Sequence, residues 1–326
     1  MIAGWAFIFF IISVLLTGGI YRYALSNNML DVPNERSAHS MPTPRGGGIA
    51  VVSLFIAATL GLYLRHHLSL ALFCALSGGT VVALLGWLDD VFSLSSSRRI
   101  IFHLLSAIWG AYWLLGLPFS VWTAIIFSLA VVSIVWCINL YNFMDGIDGL
   151  AGGEGLFISL AGALILSFLG ATWLSILYFL LAAMMGGFLI WNWPRAKIFM
   201  GDVGSGYLGY IFAVLAIATI QAHLIASFVW LTLAAVFLCD TTFTLLHRIY
   251  HGKRWYEAHC EHAYQCLVRA GWNHQRVTVN ALLLDIFVLF PIACMMIAKP
   301  QWQIFIAVFG FLSLLLLWYK IKRIPI

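Results

Sequence analysis

The stretch Phe119-Ser-Val-Trp-Thr-Ala-Ile-Ile-Phe-Ser-Leu-Ala-Val-Val-Ser-Ile-Val-Trp-Cys-Ile138 decides the fold class. It carries no charge, no glycine and no proline, and it has the length of about 20 apolar residues that a helix needs to cross a bilayer. It is continuous rather than alternating, so it does not read as a strand of a transmembrane barrel. Ten comparable runs accompany it, near 1–21, 46–64, 68–88, 100–116, 149–169, 172–191, 204–222, 224–246, 277–298 and 302–319. Together they predict an all-α polytopic membrane protein of about eleven transmembrane helices, residues 1–326 forming a single integral membrane domain.

Composition agrees. Of 326 residues 63% are apolar and only 9% are charged, against about 25% charged in a soluble domain. That excludes a soluble enzyme, a disordered chain and a disulfide scaffold. Four cysteines lie inside apolar runs. Cys260 and Cys266 lie in a basic loop, and no Cys-x-x-Cys pair suggests zinc. The net charge of +5 does not point to nucleic acid, because the basic residues sit in short loops between the runs. Of the 17 Lys and Arg, all but Arg65 and Lys299 fall in one set of loops. By the positive-inside rule that set is cytoplasmic, which puts the N-terminus outside and the C-terminus inside, as an odd number of spans requires. The first run reads as a retained span, since no basic n-region or cleavage site accompanies it.

Polar chemistry collects on the same face, in loops near 22–45, 89–99, 139–148, 192–203 and 247–276. Trp87-Leu-Asp89-Asp90 ends the third run. Adjacent carboxylates near the bilayer are costly unless paired or metal-bound, although a solvated helix stop is the plainer alternative. Asn139, Asn142, Asp145 and Asp148 recur every three residues, which places oxygen ligands on one side of a helical or turn-like segment. Glu154 follows and could merely favour a helix start. Asn192-Trp-Pro-Arg195-Ala-Lys197-Ile-Phe199-Met-Gly201-Asp202-Val-Gly204-Ser-Gly206 combines cations, a carboxylate and a helix start whose N–H groups could bind phosphate. Asp202 could hold Mg²⁺, which takes one or two carboxylates plus substrate phosphates.

Residues 255–270 are expected to form a short helix ended by Gly271, with Asn273 capping the next. On it His259 and His262 would share a face and, with Arg254 and Arg269, clamp a diphosphate; a loop binding lipid headgroups is the alternative. Asp31-Val-Pro-Asn-Glu-Arg36 through His39 and Pro42-Thr-Pro-Arg45-Gly-Gly-Gly48 reads as an extended, ordered loop over a site. Asp240 and Asp285, inside apolar runs, admit a different class, an ion-coupled membrane transporter. Such a protein should show polar groups accessible from both faces, and here they lie almost wholly on one.

These motifs, in this order, resemble those of the polyprenyl-phosphate N-acetylhexosamine-1-phosphate transferases, from about Asp31 to Arg276. The string Asn34-Glu-Arg-Ser…Pro-Thr-Pro-Arg-Gly-Gly-Gly looks like the WbpL-like branch that initiates O-antigen and related surface polysaccharides. The resemblance implies transfer of an N-acetylated sugar-1-phosphate from a UDP-N-acetylhexosamine, 6-deoxy forms included, to undecaprenyl phosphate, with release of UMP and a need for Mg²⁺ or Mn²⁺. It implies Asp202, with Asn139, at the metal, and Asp89 and Asp90 serving the lipid phosphate and catalysis. Asn139, Asn142, Asp145 and Asp148 would serve the nucleotide and metal region, with Asp145 and Asp148 also counted as catalytic. Phe199 would stack on uracil, and Arg45, Arg195, His259 and His262 would bind substrate. It further implies a multi-pass protein of the bacterial inner membrane with a cytoplasmic active face, membrane lipids and a second copy of the chain as partners, and no nucleic acid. Ser37 and Cys260 depart from the Lys and Arg that many members carry at those places.

Overall fold

The protein is described from a computed structural model covering residues 2–33, 41–254 and 259–324, with side chains from residue 4 onward. Asn34, Glu35, Arg36, Ser37, His39 and Glu257, singled out above, lie outside the described residues. In chain order the helices are α1 (Ile2–Ser26), α2 (Gly48–Leu64), α3 (Leu70–Phe92), α4 (Ser96–Leu115), α5 (Val121–Phe143), α6 (Leu150–Phe168) and α7 (Thr172–Asn192). They continue with α8 (Asp202–Gln221), α9 (Ser227–Leu233), α10 (Ala235–Tyr250), α11 (Ala263–Arg269), α12 (His274–Leu284), α13 (Phe290–Ala298) and α14 (Gln303–Lys322). A π-turn, Asp285–Leu289, joins α12 to α13. The short strands β1 (Leu30–Asp31) and β2 (Thr43–Pro44) pair antiparallel near the two ends of the loop expected to be extended, whose centre lies outside the described residues.

Every apolar run lies on a helix, and the fold class stands as all-α and polytopic. Among the described residues eight helical segments are long and apolar enough to cross a membrane, or nine if a bent pair counts as one. The run at 224–246 is not one straight span: α9 and α10 meet at 84°. Two other runs fall short of the test for different reasons. Gly48–Leu64 is only 17 residues long, and α4 opens on Arg98, Arg99 and His103. Helix starts follow the local sequence. Ser69 accepts the N–H of Leu72 at α3, Ser120 and Thr123 form a capping box at α5, and Asn273 accepts the N–H of Arg276 at α12. Among the described residues no cysteine is joined in a disulfide.

α8 is the hub. It packs against α3, α5, α2 and α4 and is buried along most of its length. Between lipid-facing helices there is little hydrophobic driving force, so close backbone approach and buried hydrogen bonds do the joining. One backbone-to-backbone approach is Gly48 against Gly204, where a Cβ on Gly48 would sit 2.4 Å from the Gly204 Cα. A Cβ on Gly86 would likewise sit 2.3 Å from the Asp202 carbonyl oxygen, so α3 passes directly beneath the start of α8. Higher up, the Tyr210 hydroxyl donates to the carbonyl of Ala75 at 2.7 Å and reaches that of Ser106 at 3.2 Å, tying α3 and α4 to α8. The outward faces of α1, α5 and α14 expose Phe7, Leu15, Trp122, Phe305 and Phe309, as a lipid-facing surface requires.

Gly48→Ala should therefore destabilise the protein by about 1–3 kcal/mol, the usual range for overpacking a tight core. Gly61→Ala, on the same helix with nothing within 4 Å of its Cβ, should melt like the wild type. Thermal unfolding in detergent checks both, and equal midpoints for the three proteins would mean that α2 and α8 do not touch as described.

Candidate active site

The motifs gather at one end of the bundle, and each is held by another. Pro44 and the following glycines run alongside 199–200: Phe199 N–H donates to Pro44 O at 2.8 Å, Gly47 N–H to Phe199 O at 2.9 Å, and Gly48 N–H to Met200 O at 2.9 Å. Asp202 is the first residue of α8, placed by Gly201 at φ +76°. The carboxylate of Asp90, on the last turns of α3, accepts the N–H groups of Asp202 and Val203, each at 3.4 Å. Those of Gly204 and Ser205 go to Gly201 O. This corrects one expectation: the start of α8 offers no free N–H groups to a phosphate, because a carboxylate from α3 caps it, and its glycines serve helix contact.

Arg45 lies over Asp90, bonded to its backbone carbonyl and with Nη1 3.8 Å from Oδ1. Asp89 points the other way. Its Oδ1 accepts Leu94 N–H at 2.6 Å and its Oδ2 takes Arg99 Nη1 at 2.7 Å. The same Nη1 lies 3.3 Å from Asp202 Oδ2, so Arg99 bridges the two motifs. Asn142 donates to Ser205 Oγ at 3.1 Å, tying α5 to α8, and Asn139 donates to Val135 O at 2.7 Å. A small cleft at this end of the bundle is lined by Asp89, Arg99, His103, Asn139, Asn142 and Asp202 among others.

Asn139 and Asn142 are helical, whereas Asp145 and Asp148 lie in the turn beyond, so the four do not share one helix face. Asp145 is partly buried, and burial, with the negative charges of Asp202, Asp90 and Asp31, pushes its carboxyl well above the usual range. Asp148 is spoken for: Oδ2 accepts Ala196 N–H at 3.2 Å and Oδ1 lies 3.3 Å from His274 Nδ1. Arg195 and Lys197 are exposed beside it, with Lys197 over the Trp191 ring. Among the described residues no three His, Cys, Asp or Glu side chains converge as a ready-made metal site. Mg²⁺ does not need one, because substrate phosphates complete its shell. The crowding of Asp145, Asp90 and Asp202 leaves negative charge that a cation at Asp202 would offset, so the donor set fits such an ion.

The histidine motif is placed differently from its expected helix. Among the described residues of that stretch Ala263–Arg269 is the helical part; His262 is its N-cap and His259 precedes it. Their rings are nonetheless 4.9 Å apart. Asp240, on α10, caps this helix by accepting Ala263 N–H at 2.7 Å and Tyr264 N–H at 3.2 Å. The Tyr264 hydroxyl donates to Phe143 O at 3.0 Å, and Phe143 stacks on His262. A Cβ on Gly146 would lie 2.1 Å from that hydroxyl, so only glycine lets the segment dock. Glu261 anchors it from outside: burial would raise its carboxyl, but Lys253, then Arg248 and Lys322, hold it below the usual range. Asp240 thus has a local task.

Residues 72–220 match Glycosyl transferase family 4. The chain is similar to the undecaprenyl-phosphate alpha-N-acetylglucosaminyl 1-phosphate transferase of Escherichia coli (strain K12), 30% identical over 325 residues covering 93% of this chain and 86% of that one. It belongs to the polyprenyl-phosphate hexosamine-1-phosphate transferases. The probable undecaprenyl-phosphate N-acetylglucosaminyl 1-phosphate transferase of Bacillus subtilis (strain 168) is 29% identical over 314 residues, covering 91% and 86% of the two chains. The decaprenyl-phosphate N-acetylglucosaminephosphotransferase of Mycobacterium tuberculosis (strain CDC 1551 / Oshkosh) is 28% identical over 331, covering 89% and 81%. The protein is therefore an enzyme, a membrane-embedded sugar-1-phosphate transferase, and the transporter reading is set aside. Sequence reasoning missed Arg99 and His103 as site residues. Their i, i+4 spacing at the charged start of an otherwise apolar helix was the available signal. The Nδ1 of His103 is buried with no hydrogen-bond partner among the described residues.

His259 gives a pH test. Burial, then the neighbouring His262 and Arg248, push it from its ordinary 6.5 down to about 4. A group lowered in this way stabilises the fold above its ordinary value, and that contribution is lost as pH falls through 6.5 toward 4. Histidine NMR of the labelled protein should show the His259 ring neutral and untitrated through pH 6, its assignment fixed by His259→Gln. A midpoint near 6.5 would contradict the described packing.

Proposed function

We propose that this transferase moves an N-acetylated hexosamine-1-phosphate from a UDP-sugar to undecaprenyl phosphate, releasing UMP, and so initiates O-antigen or a related envelope polysaccharide. The observation that carries this reading is the cleft at the helix ends, where Arg99 bridges Asp89 and Asp202. A soluble nucleotide-sugar and a lipid phosphate can both reach such a position without either leaving its own phase. The three relatives, each named as a transferase acting on an undecaprenyl or decaprenyl phosphate, support the acceptor and an N-acetylglucosamine-type donor. The one-sided division of Lys and Arg supports a cytoplasmic active face at the inner membrane, with the N-terminus outside and the C-terminus inside.

In this reading Asp202, with Asn139 and Asn142 nearby, would hold Mg²⁺ or Mn²⁺, and the ion would supply neutralisation of charge on the transferring phosphoryl group. Arg99 exchanges its carboxylate partners for phosphate oxygens and keeps the acceptor in line. Asp89 and Asp90 orient Arg99 and the start of α8. Neither need be a strong base, because a phosphate monoester has its second pKa near 6 and arrives mostly as a dianion at neutral pH. Arg195 and Lys197 face the nucleotide phosphates, Phe199 the uracil, and neutral His259 with His262 the sugar–diphosphate end. Arg45 holds Asp90. The lipid phosphate attacks directly, since positioning and charge neutralisation accomplish phosphoryl transfer without a protein nucleophile.

Asp202→Asn should leave a folded membrane protein and lower turnover on the order of a hundredfold or more, the several kcal/mol attached to a metal ligand. Mass spectrometry of lipid products from membranes fed single UDP-sugars measures this and names the sugar. Near-normal turnover in the folded variant would defeat the assignment. Direct attack is tested with enzyme freed of lipid phosphate and given UDP-sugar, metal and labelled UMP. Label should enter UDP-sugar only after undecaprenyl phosphate is added, and acceptor-independent exchange at the rate of turnover would instead establish a covalent intermediate.

A further inference from the structure

Beneath the motif loop lies a pair of acids that the transfer chemistry does not use. Glu154, on the second turn of α6, is 1% exposed, and Asp285, which opens the π-turn after α12, is 0% exposed. Their side chains meet each other across the α6–α12 contact. No N–H or O–H among the described residues donates to any of their four oxygens. Among the described residues the other titratable group facing the pair is Tyr141 of α5, and its hydroxyl is committed to Ala151 O at 2.7 Å. Two acceptor-only groups therefore face each other in the interior with no donor and no counter-charge among the described residues.

Two bare carboxylates cannot stay so placed: each uncompensated buried charge costs several kcal/mol, and the two also repel. A proton between them resolves both problems, since the acid then donates a short, charge-assisted hydrogen bond to its neighbour. The surroundings say what such a bond would hold. α12 lies along the start of α6 like a rail, meeting it every three or four residues. His274 Nδ1 lies 3.3 Å from Asp148 Oδ1, and Thr278 Oγ1 donates to Asp148 O at 2.9 Å. Leu282 covers Gly153, where a Cβ would lie 3.0 Å away, and Asp285 reaches Glu154. The helix widens into a π-turn at this last contact, a local irregularity that often marks a functional position.

We infer that Glu154 and Asp285 share a proton, and that this acid–carboxylate bond locks α12 along α6 and so positions the Asp145–Asp148 loop at the active site. Both are positioning residues, since neither touches substrate. The lock is closed while the proton is held. At high pH the proton leaves, two anions face each other and the rail separates from α6. The proton-sharing rests on the structure alone, and the effect on turnover rests on the transferase reading above.

Infrared difference spectra of the full-length protein in detergent test the first part without any assay. At neutral pH the wild type should show the carbonyl stretch of a protonated carboxylic acid that disappears both in Glu154→Gln and in Asp285→Asn. Absence of the band from the wild type, or its persistence in both variants, would overturn the proposal. Turnover tests the second part. Each amide variant should keep most of its activity, because the amide donates to the remaining carboxylate as the shared proton does. The wild type should show an alkaline fall in kcat that each variant loses, with KM for the UDP-sugar unchanged. A merely structural pair would leave the shape of the pH profile as it was, and an unaltered alkaline limb in both variants would refute the positioning role. Should either variant fail to fold, the wild-type band followed across pH against its own kcat profile decides: the two must fall together.

Discussion

The bond between the Asp90 carboxylate and the first N–H groups of α8 organises the active end of this molecule. A buried carboxylate would be expensive alone. Here it is offset by two backbone donors, by the positive end of the α8 dipole and by Arg45. The same contact fixes where Asp202 stands, because Asp202 is the residue whose N–H it captures. It is possible only because Gly86 and Gly201 leave room: a Cβ on the first would lie 2.3 Å from the Asp202 carbonyl, and on the second 2.7 Å from Asp90 Oδ2. Backbone approach, capping and the placing of a reactive carboxylate are here one interaction.

From that point charge is distributed with economy. Asp89 and Asp202 share Arg99, and Asp90 takes Arg45, while Asp145 is left partly buried among like charges. An arrangement with surplus negative charge and one arginine bridging two carboxylates is ready to exchange partners. In the proposed reaction a cation and two phosphates enter this set, and the groups that now hold each other become the groups that hold substrate. The low dielectric of the helix ends strengthens each of these interactions relative to water.

The histidine segment shows the same logic at longer range. Its short helix begins at His262 because a carboxylate from α10 caps it, and it docks because Gly146 admits the Tyr264 hydroxyl. Glu261 then ties it to Lys253, Arg248 and the C-terminal Lys322. Residues more than a hundred positions apart, Tyr264 and Phe143 among them, are thereby held together, with apolar packing providing the frame.

Length and hydropathy determined a great deal. Runs such as 119–138 can only be helices in a bilayer, since no other conformation satisfies their backbone there without a partner. The charge division separated the two ends of the bundle, and the spacing of polar residues located the five segments that meet. Sequence could not tell which carboxylate is structural and which is free. Asp90, Asp148 and Asp240 look like Asp202 in the chain, yet the first caps α8, the second is held by Ala196 and His274, and the third caps α11. Nor could it see that Arg99 spans two motifs, that the run at 224–246 bends by 84°, or that Glu154 faces Asp285. Periodicity and hydropathy report what one segment needs from its solvent. Which donor reaches which acceptor depends on how separate helices pack, and only the tertiary structure decides that.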